Sequence, residues 1–579
     1  MIHMNSFEKF INDPKMLFEK LNELRVSENN QEILKQLIIN LNKNHSVDIC
    51  EIAIVAINEK ESVFDIIEIL KDAFPYLNYN ISSIIQFLRS CFNAIGNDIC
   101  SGDQYTLIKE LAKEQPELAD EIGTALLKID EPFIINYIST IYEYFSISEI
   151  EKVHKFLIIK TASKEEFIIQ AVIFSLSKLE YWDNKKEILA EETLNVYEKL
   201  LTENSTSINS SIAWGLNQFI CKTDRAKDIL LVLIQENNDT VSFQIARLLS
   251  INFNILISKE WFDNVLLQFT KTKSEQTETI RHIDILLSQY SKRDQNTIFA
   301  EKFIQEWIVN SNYISKPIEL GAIWSTTLRN IYKNEISLSR FTTNLFNSDD
   351  IQCHVAISKT IEHAKSYYKR DLKLDRDLLN KLNFESILFI CRKIIGYIIS
   401  SDIIYSLLDS IVQNFEENHE IIDLICEVYV EYLSKDYSNT TANYIEKTLT
   451  EIEPGLLKTK LEIAYKTIKE RHEQLATLPR LKELATSRRN LYQISLEESK
   501  KHSKLFNKAE EKSFMSLFTK NTPLKYGNGW FHYYNGEYSD ISKLAKFSSS
   551  VEIPKRQITQ PISYSLERIN FRLAKRTEV

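Results

Sequence analysis

The chain is poor in the residues that punctuate structure. Its 579 residues include 10 Gly and 10 Pro, well below ordinary usage, and three of those glycines stand together at Gly527, Gly529 and Gly536. So little turn chemistry argues for helix following helix rather than many short strands. Scarce glycine also works against backbone cradles for phosphate. No Gly-x-x-x-x-Gly-Lys loop, Gly-x-Gly-x-x-Gly turn or Gly-x-Ser-x-Gly elbow occurs. The seven cysteines (Cys50, Cys91, Cys100, Cys221, Cys353, Cys391 and Cys426) are scattered and odd in number. They read as reduced, mostly buried small hydrophobes of a cytoplasmic protein. No Cys-x-x-Cys is present, and His354 and His363 are nine residues apart, not the four that place two ligands on one helical face. Neither a metal site nor a cofactor is expected. The start, Met1 to Phe10, has no basic segment followed by an apolar one. The most apolar stretch, Ile387 to Val412, is broken by Arg392, Lys393, Asp402 and Asp409, so it reads as a buried helix pair and no membrane span is expected.

What the chain does have is helical periodicity. With 44% hydrophobic and 26% charged residues it can form a core and remain outside the disordered class. Its clearest unit lies between Ser205 and Phe253. Ile208, Ile212, Leu216, Phe219 and Ile220 recur at steps of three and four, as do Ala226, Ile229, Leu230, Leu233 and Ile234 after Asp224 as N-cap. Val241, Ile245, Leu248 and Leu249 line a third helix opened by Asn238 and Asp239. None of these short helices can bury its stripe alone, so each must pack on its neighbours. Helices are expected likewise before this unit, among them Ser62–Ala73, Ser82–Ile95, Pro132–Phe145 and Ser148–Ile159, and after it at Phe384–Ser400, Ile403–Phe415 and Glu420–Leu433. The charged run Tyr367–Asp377 reads as an exposed loop.

Four segments carry a polar residue six or seven positions before an alanine in an apolar helix: Lys164–Ala171, Ser207–Ala213, Asp239–Ala246 and Asp350–Ala356. The first three alanines are 42 and 33 residues apart, near the length of a two-helix unit. This pattern resembles the second helix of HEAT or armadillo repeats. It departs from the usual HEAT pattern in lacking an arginine shortly before the alanine, where Gln, Ser or His stands instead. The resemblance implies an all-α helical-repeat solenoid, and such solenoids commonly bind proteins or peptides.

Charge divides the chain. Residues 471–579 hold 20 Lys and Arg against 11 Asp and Glu, which leaves 50 against 69 for residues 1–470. The organisation expected is an acidic α-solenoid over 1–470, a charged helical extension over 471–520 and a basic, aromatic module over 521–579. The last has strand-favouring residues around Asn535-Gly536, a strong hairpin signal, with further strands read at Phe547–Ile553 and Ile562–Leu573. Trp530, Tyr533, Tyr534, Lys543, Lys546, Lys555 and Arg556 are the candidate partner-binding residues, since aromatics beside cations can stack on bases and neutralise phosphates. The same residues would also serve a small sheet with an aromatic core and charges outside. Two functions follow. The first is a non-catalytic scaffold or adaptor that binds a protein partner through the solenoid surface. The alternative is a nucleic-acid-associated protein, a binder or a base-acting enzyme, that uses the basic C-terminus. An acidic body argues against a long nucleic-acid groove. No catalytic motif is present, so an enzyme is the lesser reading.

Overall fold

The computed structural model describes residues 7–26, 31–45, 47–78, 80–96, 101–182, 186–202, 205–236, 238–293, 297–315, 319–368, 372–478, 487–511, 522–526, 529–534, 537–538, 542–543 and 554–576. Most of them are helical. In the first half the longer helices are α1 (Pro14–Val26), α2 (Gln31–His45), α3 (Ile49–Asn58), α4 (Val63–Leu70), α5 (Ile81–Ile95), α6 (Thr106–Glu114), α7 (Pro116–Leu126) and α8 (Ile134–Lys160). They are followed by α9 (Glu166–Leu176), α10 (Glu187–Leu201), α11 (Thr206–Gly215), α12 (Asp224–Gln235), α13 (Asp239–Ile251), α14 (Thr277–Arg293), α15 (Ile298–Asn310) and α16 (Ser325–Lys333). Then come α17 (Glu335–Phe346), α18 (Ile351–Tyr368), α19 (Phe384–Tyr397), α20 (Ser401–Asn414), α21 (His419–Glu427), α22 (Ser438–Glu451), α23 (Leu456–Ala476), α24 (Arg488–Glu511) and α25 (Pro561–Leu573). Helices shorter than two turns carry no number. Contacts divide the chain into two units, residues 1–337 and 338–579.

Capping fixes where these helices start. The Asp48 carboxylate accepts from the Cys50 and Glu51 amides, Ser62 from Asp65, and Asn238 from Thr240 and Val241. At α12 the cap is Thr223, whose hydroxyl accepts from the Arg225 amide, not Asp224 as the sequence suggested. Asp224 stands instead in the first turn, where its charge favours the positive end of the helix dipole. The break expected near residue 147 is a kink inside α8, at Glu149, which has φ −134° and ψ 48°. Leu372 and Leu374, inside the run read as an exposed loop, are buried. The run is therefore partly core, because its leucines alternate with charges and can point inward while the charges point out.

In the first unit consecutive helices pack together, as α6 with α7 and α8 with α9, and several also pack on the second one along the chain: α1 lies on α3, α3 on α5, α5 on α7, α9 on α11, α11 on α13 and α14 on α16, while α13 lies on α14 and α10 bridges α8 and α12. In the second unit α18, α19, α21 and α23 pack in the same succession. Ala171, Ala213, Ala246 and Ala356 are all fully buried, as positions where neighbouring helices meet closely. Polar bonds recur at similar offsets. Gln218 donates to the Leu179 carbonyl, Trp307 Nε1 to that of Thr272, and Tyr405 shares a 2.8 Å bond with Thr441. The buried Asp284 carboxylate accepts from the amides of Thr326 and Thr327 at 2.9 and 2.8 Å and so caps α16 from the preceding unit of sequence. Each bond satisfies a buried polar group and fixes the register of one helix pair on the next.

Past α24 the backbone forms strands β1 (Thr522–Tyr526), β2 (Gly529–Tyr534), β3 (Glu537–Tyr538) and β4 (Ser542–Lys543). β2 pairs antiparallel with all three others; Tyr534 faces Glu537 and Trp530 faces Ser542. The strand read at Phe547–Ile553 lies outside the described residues. The one read at Ile562–Leu573 is a helix, α25: its apolar residues recur at steps of four, three and four, a helical period, and Pro561 occupies its first turn.

Candidate functional site

Two features of the second unit bring charged and aromatic side chains together. The first is the seat of the C-terminal helix. α25 packs along α19, and the two helices cap each other's ends. The final carbonyls of a helix have no partner within it, and here cations from the other helix supply one. Arg568 Nη1 donates to the Ile398 carbonyl at 3.0 Å, and Arg572 Nε to that of Gly396 at 2.8 Å. In return Lys393 Nζ donates to the Arg572 and Ala574 carbonyls at 2.5 and 2.7 Å. A positive charge at a helix C-terminus is favourable in its own right. Close approach depends on Gly396, where a Cβ would stand 3.1 Å from the Arg572 amide nitrogen and 3.2 Å from Phe571 Cβ.

The seat extends to both sides. Arg556 makes a two-pronged pair with the buried Asp436 at 2.9 and 2.8 Å and reaches Glu567 at 2.7 Å. Arg576 lies against Asn347 and Asp349 and over the Phe389 ring. Behind it His354 is buried, with Nε2 3.3 Å from the Phe346 carbonyl. Burial, aided by the Lys393 charge, pushes the His354 pKa down to about 4. Burial lowers that of Lys393 to about 8, against the pull of Asp349.

The second feature is an open cleft of about 620 Å3 on α20 and α22. At its floor the Tyr405 and Tyr444 rings stack with centroids 4.5 Å apart and planes 12° from parallel. Asp402, Asp409, Glu416 and Glu451 line it, with Lys373 and Lys447 as its cations. Burial, then the Asp409 charge, raises the Tyr444 phenol. Such a cleft offers carboxylates, hydroxyls and the half-buried Tyr444 ring, with Tyr405 buried behind it. A buried set in the first unit has the composition of a catalytic relay but not its freedom. His154 Nε2 lies 3.1 Å from Thr193 Oγ1, which lies 2.9 Å from the Tyr181 hydroxyl. Both hydroxyls donate to main-chain carbonyls, of Leu189 and Leu176, and the three side chains are buried. The set ties helices together.

Of the residues singled out in the sequence, Arg556 is engaged with Asp436 and Glu567, and Lys555 is exposed one residue earlier. Trp530, Tyr533, Tyr534 and Lys543 lie on the strands, with Trp530 beside Lys543's neighbour Ser542 and Tyr533 opposite Tyr538. Their side chains, and Lys546 altogether, lie outside what is described. Sequence reasoning missed Lys393, Gly396, Arg568, Arg572 and Arg576. The four-residue spacing of Tyr564, Arg568, Arg572 and Arg576 was the available signal, obscured by reading the segment as a strand.

Among the described residues no helix is long and apolar enough to cross a membrane, and no group of three or more His, Cys, Asp or Glu could hold a metal ion. No protein-family model matches the chain, and no curated protein matches it. The crystal structure of an engineered protein is similar over 78% of this chain and 98% of its own, at 14% identity and a TM-score of 0.24, too remote to bear on fold or function.

Proposed function

We propose that the protein is a non-catalytic scaffold or adaptor of the cytoplasm, each unit a run of HEAT/armadillo-like helix pairs, with the small sheet at 522–543 as an appended C-terminal module. The cleft on α20 and α22 carries this reading. It is open and polar, and its carboxylates suit a protein segment bearing lysine or arginine, which would bring positive charge and an aliphatic stem to the half-buried Tyr444 ring. The helix-on-second-helix packing and the buried alanines support the repeat assignment. Among the described residues six cysteines are free and four of them buried, which suits a reducing compartment.

The alternative is nucleic-acid association through the aromatics and lysines of the basic C-terminus, to which the arginines there lend little. Arg556, Arg568, Arg572 and Arg576 bond to carbonyls and carboxylates of their own chain and are withdrawn from phosphate. The deciding experiment is affinity capture from the native host with wild type and with a Glu416→Lys, Glu451→Lys variant, read by mass spectrometry. A protein partner held by wild type and lost by the variant supports the reading. A partner held equally by both removes the cleft from it. Recovery of nucleic acid that is released steeply by salt promotes the alternative.

A further inference from the structure

The C-terminal helix has a second face. Tyr564, Arg568, Phe571 and Arg572 turn toward α19, and this leaves Ile562, Leu566, Ile569 and Leu573 on the opposite side, exposed by 76, 56, 44 and 63%. The anchors described above hold α25 in rotation as well as in place: Arg568 and Arg572 fix one face to α19 while Lys393 holds its end. The helix cannot roll to bury the stripe. A shallow depression of about 690 Å3 runs beside it, lined by Ile562, Ser563, Leu566, Glu567 and Asn570.

The order of the stripe is informative. Its steps of four, three and four are those of a coiled-coil seam, and they read the same in either direction. About a two-fold axis between Glu567 and Arg568, an antiparallel copy would set Ile562 against Leu573 and Leu566 against Ile569, at both ends of the pair. An isologous interface needs this self-complementarity. The flanks permit it: Ser563, Ser565 and Asn570 are uncharged, Arg572 is turned to Gly396 and Glu567 to Arg556, so no like charges are forced together along the seam.

We propose that the exposed stripe of α25 is a homotypic interface, through which two copies of this chain pair antiparallel. The area sets its strength. Four such side chains present on the order of 400 Å2 per copy, so the pair buries roughly 800–1,000 Å2 in all, at the lower edge of specific association. The dimer is accordingly weak and concentration-dependent, and preorganisation of α25 on α19 spares it the cost of ordering the helix. The inference stands on the anchoring of α25 and is independent of the scaffold reading.

Sedimentation of the full chain across concentration tests it. Wild type is expected to pass from monomer to dimer at roughly tens of micromolar. Leu566→Glu and Ile569→Lys, each alone, should remain monomeric. An equimolar mixture of the two should recover the dimer, because the antiparallel register places the introduced carboxylate of one copy against the introduced ammonium of the other. Ile562→Glu with Leu573→Lys is a second such pair, for use should either first variant lose its helical circular dichroism. A wild type that stays monomeric at every concentration, or single variants that associate as wild type does, overturns the proposal. Failure of both mixtures overturns the antiparallel pairing.

Discussion

Replacing Gly396 by alanine gives a stability change whose sign depends on the seat of the C-terminal helix. Gly396 is the penultimate residue of α19, and in a free helix Gly→Ala stabilises by about 1 kcal/mol. In the intact chain the new methyl would lie 3.1 Å from the Arg572 amide nitrogen and 3.2 Å from Phe571 Cβ. Both are atoms at or next to the main chain of α25, so no flexible side-chain end can swing aside. The whole helix must move by a few tenths of an ångström while bonds at Ile398, Gly396 and Lys393 hold it. Overpacking of this kind costs roughly 1–3 kcal/mol, so the net effect should be a loss of about 1 kcal/mol. In a chain ending at residue 553, which lacks α25, the same substitution should gain about 1 kcal/mol. The coupling between the two changes is then about 2 kcal/mol, well above the few tenths expected of independent sites. Urea denaturation of the four proteins, read by circular dichroism, measures it. A stabilised Gly396→Ala in the intact chain, equal to that in the shortened one, would show that α25 does not approach α19 as described.

Three further outcomes follow from the packing and the charges. Ala213→Phe and Ala246→Phe, at fully buried positions, should each lower stability by about 1–3 kcal/mol in thermal denaturation; unchanged melting would place these alanines away from the helix interface. Asp436→Asn removes the charge that Arg556 faces in a buried pair, and because Glu567 still holds the guanidinium the loss should be about 2 kcal/mol, below the cost of a wholly orphaned charge; no change would mark the pair as incidental. The pH dependence has two windows. The His354 pKa is depressed from 6.5 to about 4, so the unfolded chain binds the extra proton first and stability present above about pH 6.5 falls as the pH drops toward 4, by about 2–3 kcal/mol. The Lys393 pKa is depressed from 10.5 to about 8, so its own contribution to stability should rise between pH 8 and 10.5, against a loss above about pH 9 from buried cysteines such as Cys353 and Cys391, whose thiols burial pushes up. His354→Phe should remove its share of the acid window, leaving that of His154 and His282, which burial also depresses, and Lys393→Met should differ from wild type by the alkaline rise, in denaturation series at several pH values.

The helices of the body were legible because their apolar residues recur at the helical period and their caps are short polar residues: Asn238 caps where the sequence placed it, and Asp48 and Ser62 are caps of the same kind. Boundaries slipped where two neighbouring residues could both cap, as with Thr223 and Asp224. The stretch 562–573 failed for a different reason. Read for β-branched and aromatic content beside a hairpin, Ile562, Tyr564, Ile569 and Phe571 look like strand residues; read for period, Ile562, Leu566, Ile569 and Leu573 make a helix. Local composition and period disagreed, and tertiary packing on α19 sided with period. The seat itself was illegible for a physical cause. Lys393 and Gly396 acquire meaning only from groups about 180 residues away, and no local pattern announces that a lysine inside an apolar run will meet the end of a distant helix.

The charge imbalance of the sequence also looks different once its partners are located. An excess of basic residues near the C-terminus is compatible with an external anion or with acidic groups of the same chain. Of the cations with described partners there, two serve carbonyls at the end of α19, and two more meet Asp436, Glu567 and Asp349 in their own unit. A guanidinium suits this task better than an ammonium, since its planar fork can satisfy several acceptors while its weaker hydration makes burial less costly. Once those charges are committed inward, what α25 presents to solvent is aliphatic. The same anchoring that removes the arginines from reach of phosphate is what leaves Ile562, Leu566, Ile569 and Leu573 facing out, so a phosphate-binding tail and an apolar pairing surface are alternative uses of one helix. Salt therefore separates them: association through the stripe should persist or strengthen as ionic strength rises, because apolar burial is not screened, whereas binding to a polyanion should weaken steeply.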